Sequence, residues 1–256
     1  MSQDGGIFVG ALLLPCYNVS MSKNQPAQSA QDIEFTRKTI HEGEITGHVE
    51  HISREFREGF EFIKKYPKSV TIFGSSMLGQ DSEACLKARE LGARIAKDLG
   101  YAVVTGGGPG IMEAANRGAS DAHGKSVGLN VSIPREGAPN GYLTDHMKFS
   151  YFFSRKTLLS FAAETYVFFP GGFGTFDELF GILTLIQTKK IHQVPIVLFD
   201  SKFWNPIIAM MKDVMIEKFQ TIDPGDLGLF EVTDSIERTM EIISKAQVSE
   251  WWRKIN

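Results

Sequence analysis

Two glycine-rich segments of this sequence have the residue types that bind a phosphate group. They read Thr-Gly-Gly-Gly-Pro-Gly-Ile-Met-Glu at 105–113 and Pro-Gly-Gly-Phe-Gly-Thr-Phe-Asp-Glu at 170–178, and each stands between a predicted strand and a predicted helix. A helix N-terminus offers unpaired N–H groups and a positive dipole end, and glycine lets the backbone approach an anion closely. Tight turns would also explain such glycines, but less readily for two loops on one sheet edge. We therefore predict that Gly107, Gly108 and Gly110 contribute to an anion site.

The spacing of these glycines is not that of a dinucleotide-binding fingerprint. A G-x-G-x-x-G motif starting at Gly106 or Gly172 would need glycine at positions 111 and 177, where the sequence has isoleucine and aspartate. A further loop follows the first predicted strand and contains Gly74 and Ser75. We expect its hydroxyl and backbone groups to hold part of a nucleotide.

Glu178 has two interpretations. Thr175-Phe176-Asp177-Glu178 matches a T-x-x-E capping box, in which both side chains would only satisfy backbone donors at the helix start. Alternatively, a carboxylate beside a bound phosphate would lie near the attached sugar. There it could stabilise an oxocarbenium-like transition state, attack C1 as a nucleophile, or activate water. The second interpretation predicts cleavage of an N-glycosidic bond.

Arg155 and Lys156 are predicted to open a helix, where a cation opposes the helix dipole. Local conflicts of this kind are expected at functional sites. The functional interpretation is a guanidinium fork on a phosphate or a leaving group. The alternative is a solvent-facing pair with no role.

A polar cluster on the N-terminal helix has the spacing of metal ligands: Glu44, His48, His51 and Glu55. We interpret it as a solvated polar face, because no cysteine reinforces a zinc site. Cys85 is predicted to be a small core residue rather than a nucleophile. We predict neither a metal nor a cofactor.

An alternation of strands and helices must position these loops. An amphipathic helical pattern runs from 32 to 66, with a break expected near Gly43, and predicted strands and helices alternate after it. The strands are expected at 70–73, 102–105, 126–133, 165–169, 194–199 and 229–232, and the helices at 81–99, 111–123, 155–163, 175–189, 204–219 and 235–245. Nearly continuous apolar strands separated by such helices imply a parallel sheet covered on both faces. The predicted fold is α/β, a Rossmann-like doubly wound parallel sheet plus an N-terminal helical arm, with ligands at the carboxyl ends of the strands.

The domain boundaries follow from this pattern. We predict a disordered leader at 1–30, the helical arm at 31–66, the Rossmann-like domain at 67–248 and a tail at 249–256.

Composition excludes several classes of partner. The chain has 256 residues, 27 Lys and Arg against 30 Asp and Glu, a net charge of -3 and a pI near 6.1. This balance argues against nucleic-acid binding. Two cysteines provide no disulfide framework, and the apolar run at 7–15 is too short to span a bilayer and lacks a basic region before it. We expect a cytoplasmic protein with no membrane partner.

On these residues, 67–248 resembles the Lonely Guy (LOG) family, whose members are often mislabelled as lysine decarboxylases. The family's P-G-G-x-G-T-x-x-E motif is intact at 170–178, its first glycine-rich motif is matched at 106–113, and its Arg-Lys pair corresponds to Arg155 and Lys156. The resemblance implies a homodimer or larger homo-oligomer that hydrolyses nucleoside 5'-monophosphates to free base and ribose 5-phosphate. The substrate is a cytokinin nucleotide in plant-type members, and bacterial relatives take ordinary purine or pyrimidine monophosphates.

The resemblance also implies roles for single residues. Glu178 would act at C1 of the ribose, and Arg155 would assist catalysis or orient the substrate. Thr184 is expected to face the site, and Glu136 is a weaker match to a substrate-contacting glutamate. The backbone expected to grip phosphate and ribose belongs to Gly171, Gly172, Gly174 and Thr175.

Some family positions differ in this chain, and other functions share its loops. Plant-type members have Met-His-x-Arg-Lys where this chain has Tyr-Phe-Phe-Ser-Arg-Lys at 151–156, so the preferred base is left open. The alternative function is a carrier that binds a nucleotide or a phosphorylated molybdenum-pterin cofactor without catalysis. Deoxyribosyl transfer would use the same carboxylate. Decarboxylation with pyridoxal phosphate would need a lysine to form a Schiff base, and Lys156 is the only amine near the expected site. This reaction is disfavoured, because the glycine loops are already explained by the binding of a ribose phosphate.

Overall fold

The computed structural model of the protein describes residues 42–131 and 138–247. Met1–Glu44 and Ile45–Asn256 are separate compact units, and only the last three residues of the first unit are described. The predicted leader, the predicted tail, Cys16 and Glu136 therefore lie outside the described residues.

The centre of the protein is a parallel sheet of seven strands in the order β4-β3-β2-β1-β5-β6-β7, which confirms the predicted fold class. The strands are β1 Ser69–Phe73, β2 Ala102–Thr105, β3 Ser126–Val131, β4 Asp145–Phe149, β5 Thr165–Phe168, β6 Ile196–Phe199 and β7 Glu231–Thr233. The chain builds outward from β1 to β4 and then returns to place β5 against the other side of β1. The strand order reverses between β1 and β5, which is where a doubly wound sheet binds its ligand.

The part of the chain that the structure describes has seven α-helices, which cover the sheet: α1 Glu42–Ile63, α2 Glu83–Arg94, α3 Ile111–Asp121, α4 Phe152–Ser160, α5 Phe173–Gln187, α6 Ser201–Met210 and α7 Ile236–Lys245. π-Helical turns at Ile95–Leu99 and Met211–Lys218 extend α2 and α6, and a 3₁₀ helix at Pro224–Leu229 precedes β7. Within the described residues no helix is both long and apolar enough to cross a membrane.

The two faces of the sheet form separate hydrophobic cores because side chains alternate along each strand. Val70 and Ile72 of β1 pack into one core with α2, α3 and α7. Phe73 belongs to the opposite core, which α1, α4, α5 and α6 cover. Phe62, at the end of α1, is buried in this second core, so part of the predicted arm covers the sheet.

Three elements differ from those expected: β4, α4 and α5. The sequence pattern missed β4, an edge strand whose first four side chains alternate between partly exposed and exposed. Helix α4 begins at Phe152, three residues before the predicted start. Helix α5 begins at Phe173, two residues early. The described part of α1 begins at Glu42, so the break expected near Gly43 stays a prediction.

Candidate active site

Three loops meet at the carboxyl ends of β1, β2 and β5, where the strand order reverses. Backbone hydrogen bonds join them: Ser75 N–H donates to Pro170 O at 2.9 Å, and Ile111 N–H donates to Ser75 O at 3.0 Å. Gly110 has a left-handed φ of 69°, and a Cβ there would lie 2.3 Å from Ser75 O. The glycine therefore allows the two loops to touch, and the three hydrogen-bonded loops form one continuous rim.

The rim surrounds a cavity of about 290 Å³. Its floor and walls combine glycine backbone, two ionisable side chains and several apolar side chains. The lining residues are Phe73, Gly74, Ser75, Ser76, Met77, Gly106, Met112, Phe152, Arg155, Leu159, Gly172, Phe173, Gly174, Thr175 and Glu178. The structure thus brings together seven of the predicted site residues: Gly74, Ser75, Arg155, Gly172, Gly174, Thr175 and Glu178.

Glu178 contributes a buried carboxyl group to the cavity. Its exposed fraction is 5%, and Oε2 has no hydrogen-bond partner among the described residues. The capping-box interpretation is wrong, because α5 has Gly172 as its N-cap and Glu178 is the sixth helical residue, in the second turn. A buried polar atom without a partner is costly, so its retention points to a role toward a ligand.

Burial raises the pKa of Glu178 from its usual 4.5 to about 7, while the positive charges of Arg155 and Lys156 act in the opposite direction. The group is therefore divided between its acid and carboxylate forms near neutral pH. Enzymes use carboxyl groups tuned in this way for proton transfer or for charge stabilisation.

Arg155 is held close to the glycine loop after β2. Arg155 is the fourth residue of α4, so the prediction that it opens the helix is wrong. It is only 7% exposed, so the alternative of a solvent-facing side chain is wrong as well. Its Nε donates to Leu129 O at 2.7 Å. A Cβ at Gly106 would lie 2.1 Å from Arg155 Nη2, so the guanidinium occupies the space that glycine leaves open.

Lys156 points to a different partner. Its ammonium group donates to Asp177 Oδ1 at 2.6 Å and joins α4 to α5. The ion pair is partly exposed, so it contributes little to stability. A contact between Lys156 and substrate stays a prediction.

The N-terminus of α5 is available to an anion. Gly172 caps this helix without a side-chain hydrogen bond, whereas at the start of α3 the Ile111 N–H already donates to Ser75 O. The first-turn N–H groups of α5 belong to Phe173, Gly174 and Thr175, and two of these three residues were predicted to bind phosphate. Such groups together with the helix dipole bind phosphate in many folds.

Several other predicted site residues lie behind or outside the cavity wall. Gly107 has φ 73° and packs against Asn130, and Gly108 O accepts from Asn140 Nδ2 at 3.1 Å. Thr184 is exposed, and its hydroxyl donates to Phe180 O at 2.7 Å.

Gly171 also lies next to the wall, because a Cβ there would meet the Thr175 hydroxyl at 2.1 Å. These glycines therefore shape the loops, and their contact with a ligand stays a prediction.

Sequence reasoning missed the apolar rim of the cavity. Met77 is 89% exposed and Phe173 is 96% exposed, and Phe152 lies with its ring 5.9 Å from the Arg155 guanidinium carbon. Large exposed apolar side chains beside a polar cavity are typical of binding surfaces. The sequence signal that was available is their position: Met77 lies in the loop after β1, and Phe173 opens the helix that follows the loop after β5.

A larger cavity of about 650 Å³ lies at the opposite ends of the strands, near the amino ends of β5, β6 and β7. Its lining includes Tyr166, Lys190, His192 and Asp226, from segments before or at the start of strands. Ligands of doubly wound sheets bind at the carboxyl ends of strands. We therefore place the candidate active site in the smaller cavity, which also contains the partnerless carboxyl group.

The structure corrects the interpretation of the polar cluster on α1. Glu55 is only 5% exposed and accepts a hydrogen bond from the Ser154 hydroxyl of α4, so it is not part of a solvated face. No group of three or more His, Cys, Asp or Glu side chains in the described ranges could hold a metal ion. Cys85 is buried in the core as predicted, and burial raises the pKa of its thiol.

Comparisons with known proteins show which family the chain belongs to. The sequence model of the family described as "Possible lysine decarboxylase" matches residues 112–243. The chain is also 30% identical over 160 residues to the cytokinin riboside 5'-monophosphate phosphoribohydrolase of Rhodococcoides fascians, covering 60% of this chain and 79% of that one. The chain belongs to the LOG family. It is 27% identical to the cytokinin riboside 5'-monophosphate phosphoribohydrolase LOG of Oryza sativa subsp. japonica, over 59% of this chain and 63% of the rice protein, somewhat less than two thirds of its length.

Solved structures support the LOG-family fold. The X-ray structure of TM1055, a structural genomics target, matches with a TM-score of 0.53 at 28% identity, over 70% of this chain and 99% of that chain. The molybdenum cofactor carrier protein of Chlamydomonas reinhardtii matches with a TM-score of 0.50 at 19% identity, over 70% and 99% of the two chains. At that identity the second likeness concerns the fold alone.

Proposed function

We propose that this LOG-family protein hydrolyses the N-glycosidic bond of a nucleoside 5'-monophosphate to a free base and ribose 5-phosphate. The observation that carries the proposal is the Glu178 carboxyl group, buried and without a hydrogen-bond partner among the described residues, in a cavity that Arg155 also lines. A protein that needed only to bind phosphate would have no use for a costly buried carboxylate at this place.

The cavity offers a place for each part of such a substrate. The 5'-phosphate would lie on the N-terminus of α5, where Gly172, Gly174 and Thr175 present backbone N–H groups. This position would direct the ribose toward Glu178. The base would reach the rim, where Phe152 and Phe173 offer aromatic surface.

The reaction needs a negative charge near C1 when the bond to the base breaks. The bonding electrons leave with the base nitrogen, the ribose ring becomes positively charged, and the oxygen of water forms the new bond to C1. The base gains one proton and water loses one. The Glu178 carboxylate would stabilise the ring charge or accept the proton from water, and Arg155 would favour the ionised form of Glu178.

The test is the release of ribose 5-phosphate from a panel of purine, pyrimidine and cytokinin nucleoside 5'-monophosphates. We expect turnover by the wild type and a loss of at least a hundredfold in kcat for Glu178→Gln, with the nucleotide still bound. The matched control is Glu113→Gln, which makes the same change in the first turn of α3, outside the cavity lining.

Two outcomes would contradict the proposal. If Glu178→Gln keeps more than about a tenth of kcat, the role given to this residue is wrong. If the wild type releases no ribose 5-phosphate but holds a nucleotide or a pterin tightly, the protein is a carrier. Base exchange upon addition of a second base would instead indicate glycosyl transfer.

A further inference from the structure

Helix α4, which carries Arg155, has no cap from its own sequence. Its N-cap residue is Tyr151, whose side chain makes no capping hydrogen bond, and its first turn contains no acidic residue. A helix start with unpaired N–H groups is destabilised unless another group supplies acceptors. The acceptors at this helix start come from a distant part of the chain.

Glu55 of α1 supplies them. Its Oε1 accepts from Ser150 N–H at 2.5 Å, and its Oε2 accepts from Tyr151 N–H at 3.4 Å and from the Ser154 hydroxyl. The carboxylate therefore lies at the positive end of the α4 dipole, where a negative charge is favourable. His51 Nε2 lies 3.6 Å from Glu55 Oε1, on the same helix as the carboxylate.

Packing holds α1 along α4 beyond this single group. The rings of Phe56 and Phe153 have centroids 6.5 Å apart, and a Cβ at Gly59 would lie 2.8 Å from Leu158 Cγ. The glycine therefore allows the close approach of the two helices. A group on α1 can thus fix the position of α4 rather than only its end.

Arg155 follows directly after Ser154, which Glu55 binds. The guanidinium donates to Leu129 O and occupies the space that Gly106 leaves open, so a displacement of the first turn of α4 would shift it within the cavity that Glu178 also lines. Displacements of about 1 Å at a catalytic group can cost a hundredfold in rate.

We propose that Glu55 is a positioning residue, which holds the first turn of α4 so that Arg155 faces the reacting centre. The inference rests on the proposed function. It assigns a role in the reaction to α1, which lies outside the residues 112–243 that match the family model.

The test compares Glu55→Gln and Glu55→Ala with Glu61→Gln in the full chain. Glu61 is an exposed residue of the same helix that pairs with Lys64, so it provides the same change of charge away from α4. We expect kcat to fall at least tenfold in Glu55→Ala and less in Glu55→Gln, whose amide oxygen retains part of the cap. The control should stay within twofold of the wild type, and KM should change less than kcat.

A double-mutant cycle separates positioning from a loss of folded protein. In an Arg155→Lys background, Glu55→Gln should lower kcat by less than twofold, because the group through which Glu55 acts is already altered. Equal fold-losses in both backgrounds would overturn the inference, as would kcat values for both Glu55 variants within twofold of the control.

If the wild type hydrolyses no nucleotide, the proposed function fails and the affinity for ribose 5-phosphate decides the inference. A Kd that is at least fivefold weaker in Glu55→Gln than in Glu61→Gln would support positioning of Arg155. Equal Kd values would overturn it.

Discussion

The substitution Glu178→Gln should make the folded protein more stable at pH 8 while it removes activity. The carboxyl group is 5% exposed, and burial raises its pKa from 4.5 to about 7. Above pH 7 the folded protein must hold a desolvated negative charge, whereas the unfolded chain holds the same charge in water. Glutamine has nearly the same shape and no charge to bury.

The size of the gain follows from the pKa shift. Each pH unit between the two pKa values corresponds to about 1.4 kcal/mol, so the shift of Glu178 from 4.5 to about 7 corresponds to about 3 kcal/mol. In this interval the folded state binds one more proton than the unfolded state, so the stability of the wild type falls as pH rises. The difference between variant and wild type should be near zero below pH 4.5, grow up to pH 7 and stay constant above it.

The assay is urea or thermal unfolding of the wild type, Glu178→Gln and Glu113→Gln from pH 4.5 to 8.5. At pH 8 the Glu178 variant should melt about 6–12 °C above the wild type, at roughly 2–4 °C per kcal/mol for a protein of this size. Glu113→Gln should show no such pH-dependent gain. Equal melting temperatures of wild type and Glu178→Gln at pH 8 would refute the argument, because they would mean that the carboxylate is solvated.

Three further predictions follow from other parts of the structure. Gly106→Ala should lower kcat at least tenfold, because the new Cβ would lie 2.1 Å from Arg155 Nη2 and would displace the guanidinium. In the control Gly79→Ala the new Cβ meets nothing within 4 Å, so kcat in the same ribose 5-phosphate assay should stay within twofold of the wild type. Gly47→Ala should raise the free energy of unfolding by about 0.5–1 kcal/mol in urea titrations, because Gly47 is exposed within α1 and a Cβ there has open space; a loss of stability would contradict the helix. The value of kcat/KM should rise about tenfold per pH unit up to the Glu178 pKa of about 7 and then level off, and a fall over that range would mean that the protonated form acts.

The sequence was sufficient to predict most of the sheet, because buried parallel strands are short apolar runs between helices. Strand β2 lies at the predicted residues, and β1 and β5 differ from them by one residue each. Strand β4 was missed because its Asp-His-Met-Lys-Phe pattern places polar groups at the edge of the sheet, where burial does not select apolar residues.

The candidate site was predictable where loops follow strands, and not where a contact joins distant segments. Glycine loops and their neighbours Arg155 and Glu178 stand out by local pattern. The capping prediction failed for a local reason, since α5 starts two residues before Thr175 and moves Glu178 into the second turn. Glu55 meets Ser150 across 95 residues, a separation at which sequence periodicity carries no information.

The place of β1 in the middle of the sheet has a consequence for how the protein assembles. Val70 of β1 pairs with Thr165 of β5, so the cavity is completed only when two stretches of chain almost a hundred residues apart have joined. Closing so long a connection has an entropic cost that a ligand seated across the junction helps to offset. A ligand at a hundred times its Kd would add about 2.7 kcal/mol to the free energy of unfolding. A ligand-dependent rise in melting temperature would therefore report that both halves of the sheet have come together.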